Sequence, residues 1–351
     1  MLGERTVVFV AEDVDYRELI VLDAILESNR IPVTVTSVYK FLRGRGYTYS
    51  KSNISFIINS RISKRYGIGA QINYYSLGLR KLIIVLNDII DNYPRNYLAL
   101  RASLIPYGML LSYYLPFNIG PDDILSAFDR SKIRYYFIIS YEYIPRPNLL
   151  EYYFDYKLII DLPKTIDYKL NIVAGEPDII VDRRLKNFSL YDLFIIKELQ
   201  KNAMQSLKKI SETIGVKYDK VFRRFRHILD QKIIERLALR HSWLYRGDYV
   251  FVVALEPRED LPPYLAAKTL SEIPLIGNVG LDEITSTTLV TIVPRSGISP
   301  QDTIDALKNY YRLKGYYTVD NNRKKVYSIP YNKEYSKYKG TWLEFVTQPQ
   351  P

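Results

Sequence analysis

The stretch Ser206–Leu229, SLKKISETIGVKYDKVFRRFRHIL, fixes the reading of the chain around it. Leu207, Ile210 and Ile214 recur at helical spacing and share one face, and Gly215 follows as the residue type that takes the positive φ of a tight turn. A second helix begins near Lys217, with Val221, Phe225, Ile228 and Leu229 directed at a core. The pattern is a helix-turn-helix. It leaves Lys217, Tyr218, Lys220, Arg223, Arg224 and His227 on the outer arc. An arc of cations with almost no carboxylate suits DNA phosphates and base edges. A solvated basic face is the plainer meaning of the same residues.

Upstream, Ser189-Leu-Tyr-Asp192 has the form of a capping box, and Leu193, Ile196 and Leu199 give the face of a leading helix. Downstream, Leu237 to Tyr245 reads as a wing that carries Arg240. Strands over 249–255, 287–293, 316–319 and 325–329 then alternate with helices over 262–273 and 300–313.

The first half follows the same plan. Asp15 starts a helix with Leu19, Leu22, Ile25 and Leu26 inward, a second helix spans 35–43, and Ser50 caps a third with Ile54, Ile57, Ile58 and Ile62 facing the core. The outward positions of the third are Lys51, Ser52, Asn53, Ser55 and Asn59, followed by Lys64 and Arg65. Amides and hydroxyls there suit base edges, and the cations suit phosphates. A glycine-punctuated strand from Tyr66 completes a winged helix-turn-helix. Beyond it come strands over 82–86, 109–115 and 134–143, with helices expected over 97–103 and from Pro121. The segment 151–188 reads as a connector with some extended structure.

Composition sets outer limits. A chain of 351 residues exceeds what one core usually fills, so several domains are expected. The formal charge of +11 favours a polyanionic partner, nucleic acid or a membrane surface. With no cysteine, disulfides, thiolate zinc sites and cysteine nucleophiles are excluded, and two histidines, His227 and His241, make a multi-histidine metal centre unexpected. No metal or cofactor is expected. The N-terminus lacks a secretory layout and no apolar run is long enough for a bilayer, so a cytoplasmic protein is expected. Asp122 and Asp123 are adjacent acids at a helix start, where the helix dipole favours them.

Tandem duplication shows in the letters. Tyr97-Leu-Ala-Leu-Arg-Ala-Ser-Leu-Ile-Pro106 parallels Tyr264-Leu-Ala-Ala-Lys-Thr-Leu-Ser-Glu-Ile-Pro274, and Pro121-Asp-Asp-Ile-Leu-Ser-Ala-Phe128 parallels Pro300-Gln-Asp-Thr-Ile-Asp-Ala-Leu307. With the helix-turn-helix through Gln231-Lys-Ile-Ile and the passage Ile72–Leu86, the chain resembles the Lrp/AsnC family of archaeal and bacterial transcription regulators, duplicated in one polypeptide. The resemblance implies an α+β chain, a tandem repeat of winged helix-turn-helix domain and ferredoxin-like α/β sandwich. Its parts are winged helix-turn-helix 1 (1–79), ferredoxin-like module 1 (80–150), the connector (151–188), winged helix-turn-helix 2 (189–247), ferredoxin-like module 2 (248–330) and a basic, tyrosine-rich tail (331–351). It also implies a small-molecule effector, for which Gly280-Leu-Asp282 matches the family's glycine-aspartate loop, with Gly280 and Asp282 as the effector residues, and a homodimer through the α/β modules. The first copy departs from the pattern at Pro106-Tyr-Gly108-Met, where a complete hairpin is expected.

The function expected from the sequence is therefore a non-enzymatic regulator that docks two dissimilar helices in the major grooves of double-stranded DNA. Two alternatives stand beside it: an architectural or replication-associated DNA binder, and an enzyme similar to the fused siroheme decarboxylases, which share the duplicated architecture. Against the enzyme, both histidines fall in the second winged domain and none in the α/β modules.

Overall fold

The computed structural model describes residues 8–11, 13–28, 30–282, 284–296, 298–327 and 331–343. The chain opens with β1 (Phe9–Ala11) and three helices, α1 (Tyr16–Ser28), α2 (Val35–Gly44) and α3 (Lys51–Ile57). Their starts are set by short polar side chains. Thr34 and Ser37 cap α2 reciprocally, and Ser50 accepts the Asn53 N–H at 3.1 Å. The third helix does not run on regularly. It widens into a π-turn over Ile58–Ile62 before α4 (Ser63–Arg65) and β2 (Tyr66–Ile72). Within the turn the hydroxyls of Ser60 and Ser63 donate to the carbonyls of Phe56 and Asn59, competing with the regular helical ladder.

The first sheet module contains β3 (Leu79–Leu86), β4 (Leu98–Ile105), β5 (Met109–Pro116), α5 (Pro121–Leu125) and β6 (Ile133–Tyr143). The helix expected over 97–103 is strand β4. Its buried Ala102 and Leu104 alternate with outward positions, a period of two that the letter match to 264–274 conceals. The β4–β5 hairpin is complete, turning at Gly108 with φ 119°, where a Cβ would lie 2.5 Å from the Leu86 carbonyl oxygen. What this copy lacks is its first crossover helix: residues 87–97 form none.

The connector segment holds β7 (Tyr153–Phe154), β8 (Lys157–Ile160) and a helix the sequence reading missed, α6 (Leu162–Val173). β8 pairs antiparallel with β1, Phe9 opposite Ile160. The second copy follows with α7 (Leu190–Lys201), α8 (Leu207–Ile214), α9 (Tyr218–Asp230) and β9 (Ile234–Ser242). Gly215 closes α8 at φ 67°, as the turn requires. Module 2 is β10 (Tyr249–Pro257), α10 (Pro263–Ser271), β11 (Ile276–Asp282), β12 (Thr287–Ile292), α11 (Pro300–Lys308) and β13 (Tyr311–Val326). α6 packs its buried Ile166, Leu170 and Val173 in the cluster that lies under α10 and α11. A last segment, α12 (Tyr331–Glu334) with the hairpin β14 (Tyr335–Ser336) and β15 (Thr341–Trp342), docks on module 1. There the Trp342 indole donates to the Leu77 carbonyl at 2.7 Å.

Each module orders its strands so that the first and third lie between the fourth and the second, giving β6-β3-β5-β4 and β13-β10-β12-β11. That is the ferredoxin-like order, made twice. The two sheets then join edge to edge through β6 with β11 and β4 with β13, and an eight-stranded barrel closes. Closure leaves the barrel itself without an exposed edge. The chain is thus a tandem of helix-turn-helix and ferredoxin-like sandwich. Its two helical domains are tied by a ribbon of β2 against β9.

Candidate functional site in the barrel lumen

Alternation along a strand sends successive side chains to opposite faces. Outward from the barrel, Leu82, Ile84, Leu111 and Tyr113 enter one buried cluster and Val253, Leu255, Val290 and Ile292 another, both under helices. Inward, the complementary positions Lys81 and Ile83, Leu110 and Ser112, Val250 and Val252, and Asn278 and Gly280 line a cavity of about 140 Å³. Two irregularities bring in charge. A bulge at Ser140 in β6 breaks the alternation, so that both Ile139 and Glu142 face the lumen. On β13 the register jumps between Asp320 and Lys325, and the extra residues deliver Lys324 to the same cavity.

The polar groups are few and well defined. Lys81 Nζ donates to Glu142 Oε1 at 2.7 Å, Asn278 Nδ2 to the same oxygen at 3.0 Å, and the Tyr114 hydroxyl to Oε2 at 3.3 Å. Burial pushes the Glu142 carboxyl up, but the charge and hydrogen bond of Lys81, with Arg240 and Asn278, outweigh it and hold it below the usual range. Lys324 is exposed to solvent although it lines the cavity, and its amine is shifted below the usual lysine range, first by desolvation and then by the charge of Lys81. Ser112 is 1% exposed and its hydroxyl has no hydrogen-bond partner among the described residues. A buried hydroxyl without a partner costs on the order of 1–3 kcal/mol, which a ligand's acceptor would recover. With two lysines against one carboxylate, the lumen prefers an anion.

Of the two expected effector residues, Gly280 lines this lumen. A Cβ there would meet Ile139 at 3.0 Å, so its lack of a side chain leaves the space open. Asp282 is directed elsewhere: it is buried and accepts the N–H groups of Ile138, Ile284 and Thr285 at 2.7, 2.9 and 3.0 Å. Lys81, Ser112, Glu142, Asn278 and Lys324 were not singled out in the sequence. For Lys81 and Ser112 the one signal is a charge or hydroxyl at the inward parity of an apolar strand; Glu142 and Lys324 reach the lumen through irregularities and carry no such signal.

Several of the residues expected to meet DNA also contact the chain itself. Arg224 forms a fork with the fully buried Asp192, its Nε 2.7 Å from Oδ1. Lys220 sits 3.6 Å from the centre of the Tyr191 ring, and His227 Nε2 lies 2.9 Å from the Asn187 carbonyl oxygen. In the first copy Arg65 reaches Glu18, Lys51 lies over Tyr39, Ser52 is within hydrogen-bond distance of Ser50, and Asn59 donates to Ser55. Arg240 donates to the Ala70 carbonyl across the β2–β9 ribbon. Those two strands, read as wings, bind each other. Lys51, Ser52, Asn53, Asn59, Lys64, Arg65, Lys217, Tyr218 and Arg223 are exposed, and Ser55, Lys220, Arg224, His227 and Arg240 half-buried. Asp123 accepts the Gly120 N–H at 2.7 Å as a helix cap.

Fold and site together define a class: a duplicated chain compatible with an Lrp/AsnC-like architecture, whose two sheet modules enclose a ligand-sized lumen. The chain is similar to solved structures of the siroheme decarboxylase NirDL. One shares 10% identity over 87% of this chain and 91% of that one, with a TM-score of 0.42. Another, in co-complex with an iron-uroporphyrin III analogue, shares 10% over 88% and 92%, also at 0.42. No sequence-family profile and no curated protein matches the chain. These neighbours are enzymes and give no sign of a transcription regulator, so the expected non-enzymatic DNA-binding regulator is corrected. Within the chain, Arg224 is committed to the buried Asp192, and the strands read as wings pair with each other. Among the described residues no helix is long and apolar enough to cross a membrane.

Proposed function

We propose that the chain binds a small organic anion in the barrel lumen. The observation that carries this is the Ser112 hydroxyl, buried and without a partner in a cavity that also holds the Lys81–Glu142 pair and the Lys324 amine. Size limits the ligand. A cavity of about 140 Å³ is close to one of about 150 Å³ that takes benzene, so the occupant has on the order of six to nine heavy atoms. Lys324 and Ser112 would hold a carboxylate. Calorimetric titration with carboxylates from acetate to benzoate should find one that saturates. Ser112→Ala and Lys324→Met should each weaken it about tenfold, a charge-assisted hydrogen bond being worth about 1.5–3 kcal/mol. Saturable binding by none of them, or equal binding by Ser112→Leu, which fills the lumen, would overturn the proposal.

The siroheme-decarboxylase-like reading draws on a different feature, since a four-ring macrocycle does not fit the lumen. Between module 1, the segment 185–188 and the C-terminal hairpin lies an open cleft of about 980 Å³, walled by Phe117, Phe188 and Trp342, with Lys333 and Lys339 at its edge. Aromatic walls with cations nearby suit a flat ring that carries carboxylates. Mixing with siroheme should shift its absorbance and, on turnover, release carbon dioxide. An unchanged spectrum sets this reading aside without touching the lumen.

A further inference from the structure

We propose that the pocket between the start of α1 and the β7–β8 turn is a binding site for a methylated ammonium group. Sequence and backbone conflict at the tip of the β7–β8 hairpin. Asp155 and Tyr156 form the two-residue turn of the hairpin, with φ of 46° and 59°. Positive φ at both central positions is the geometry in which Asp-Gly and Asn-Gly dominate. Asp155 fits. A tyrosine at the second position is strained, and packing does not repay it, since Tyr156 is 70% exposed.

The neighbouring residues are aromatic as well. Tyr16 and Tyr153 lie with ring centroids 5.0 Å apart, inclined at 34°, and Phe154 is 71% exposed beside them. The Val14 N–H donates to the Tyr156 carbonyl at 2.9 Å and the Tyr156 N–H to the Tyr153 hydroxyl at 3.2 Å, so the two walls are fastened together. The resulting open pocket has a volume of about 1020 Å³. Among the described residues its charged lining is Asp13, Asp15 and Asp155 with one cation, Arg17. Asp15 is engaged by Arg61 and by the Arg17 N–H, which leaves Asp13 and Asp155 to set an acidic field. Asp13 also has positive φ, at 57°. Four aromatic rings in an acidic pocket attract a large, weakly hydrated cation through their negative faces. A quaternary ammonium or a methylated lysine has that chemistry. A metal ion or an anion does not.

The test is a titration followed by tyrosine ring resonances. Tetramethylammonium should bind saturably, and its uncharged isostere 3,3-dimethylbutanol about tenfold more weakly, the difference a cation–π contribution makes. Tyr156→Gly is the decisive variant because glycine relieves the turn: it should unfold at an equal or higher temperature and lose at least about tenfold in affinity. Titration with trimethyl-lysine, as the amino acid and within a peptide, tells a metabolite source from a protein source. Equal binding of the isostere, unchanged affinity in Tyr156→Gly, or no saturation by any methylated ammonium would overturn the proposal.

Discussion

Two neighbouring arginines on α9 have opposite roles. Arg224 is the partner of a carboxylate with no exposure to water, and Arg223 projects into solvent. Arg224→Ala should destabilise the protein by about 3 kcal/mol, because Asp192 keeps its charge and only its contacts to Ser189. Arg223→Ala should stay within about 0.5 kcal/mol, and urea unfolding of the two variants checks both. The lumen pair Lys81–Glu142 makes a similar prediction with a pH signature. Because the folded-state pKa of Glu142 is depressed, its contribution is present above the ordinary carboxylate range and is lost as pH falls through the folded value. Glu142→Gln should therefore lower stability at neutral pH and flatten the acid limb of a stability profile. For Lys324 the lowered pKa means that the cation is lost at a lower pH than for a free lysine. Affinity for a lumen carboxylate should decline as pH rises through that point, and titrations at several pH values check it.

At the scale of elements, the helices were legible because their caps and apolar faces are local. Ser50, Ser189, Ser206 and Gly215 stand where the sequence puts them. The strand and the lumen were missed for one cause. Tyr97 to Ser103 matches the letters of α10 yet folds as β4, since its pairing with β5 and β13 is settled by distant residues. The lumen was illegible for the same reason: Ser112 and Lys324 share a cavity only once eight strands close, and the bulge that turns Glu142 inward has no sequence mark. The arc Lys217–His227 misled differently, because its partners Asp192, Tyr191 and Asn187 lie outside the motif. The β2–β9 ribbon makes its own prediction. A Cβ on Gly69 would run into the carbonyl oxygen of Gln200 and into Arg240, so Gly69→Ala should destabilise by about 1–3 kcal/mol in thermal unfolding, more than an exposed glycine such as Gly44 would show.

As a whole molecule, the chain does within one polypeptide what two copies of a half would do as a dimer. The seams β6·β11 and β4·β13 make each module the missing edge of the other. Neither half should therefore fold alone, and unfolding of the full chain should fit one transition with coincident far- and near-ultraviolet signals. The same closure creates the lumen, so the site exists only between the modules. Methyl resonances of the labelled protein, followed while small carboxylates are added, test this most directly. The account predicts shifts clustered on Ile83, Leu110, Val250, Val252, Leu289 and Val319, and their disappearance in Ser112→Leu; shifts confined to other surfaces, or none with any carboxylate, would contradict it.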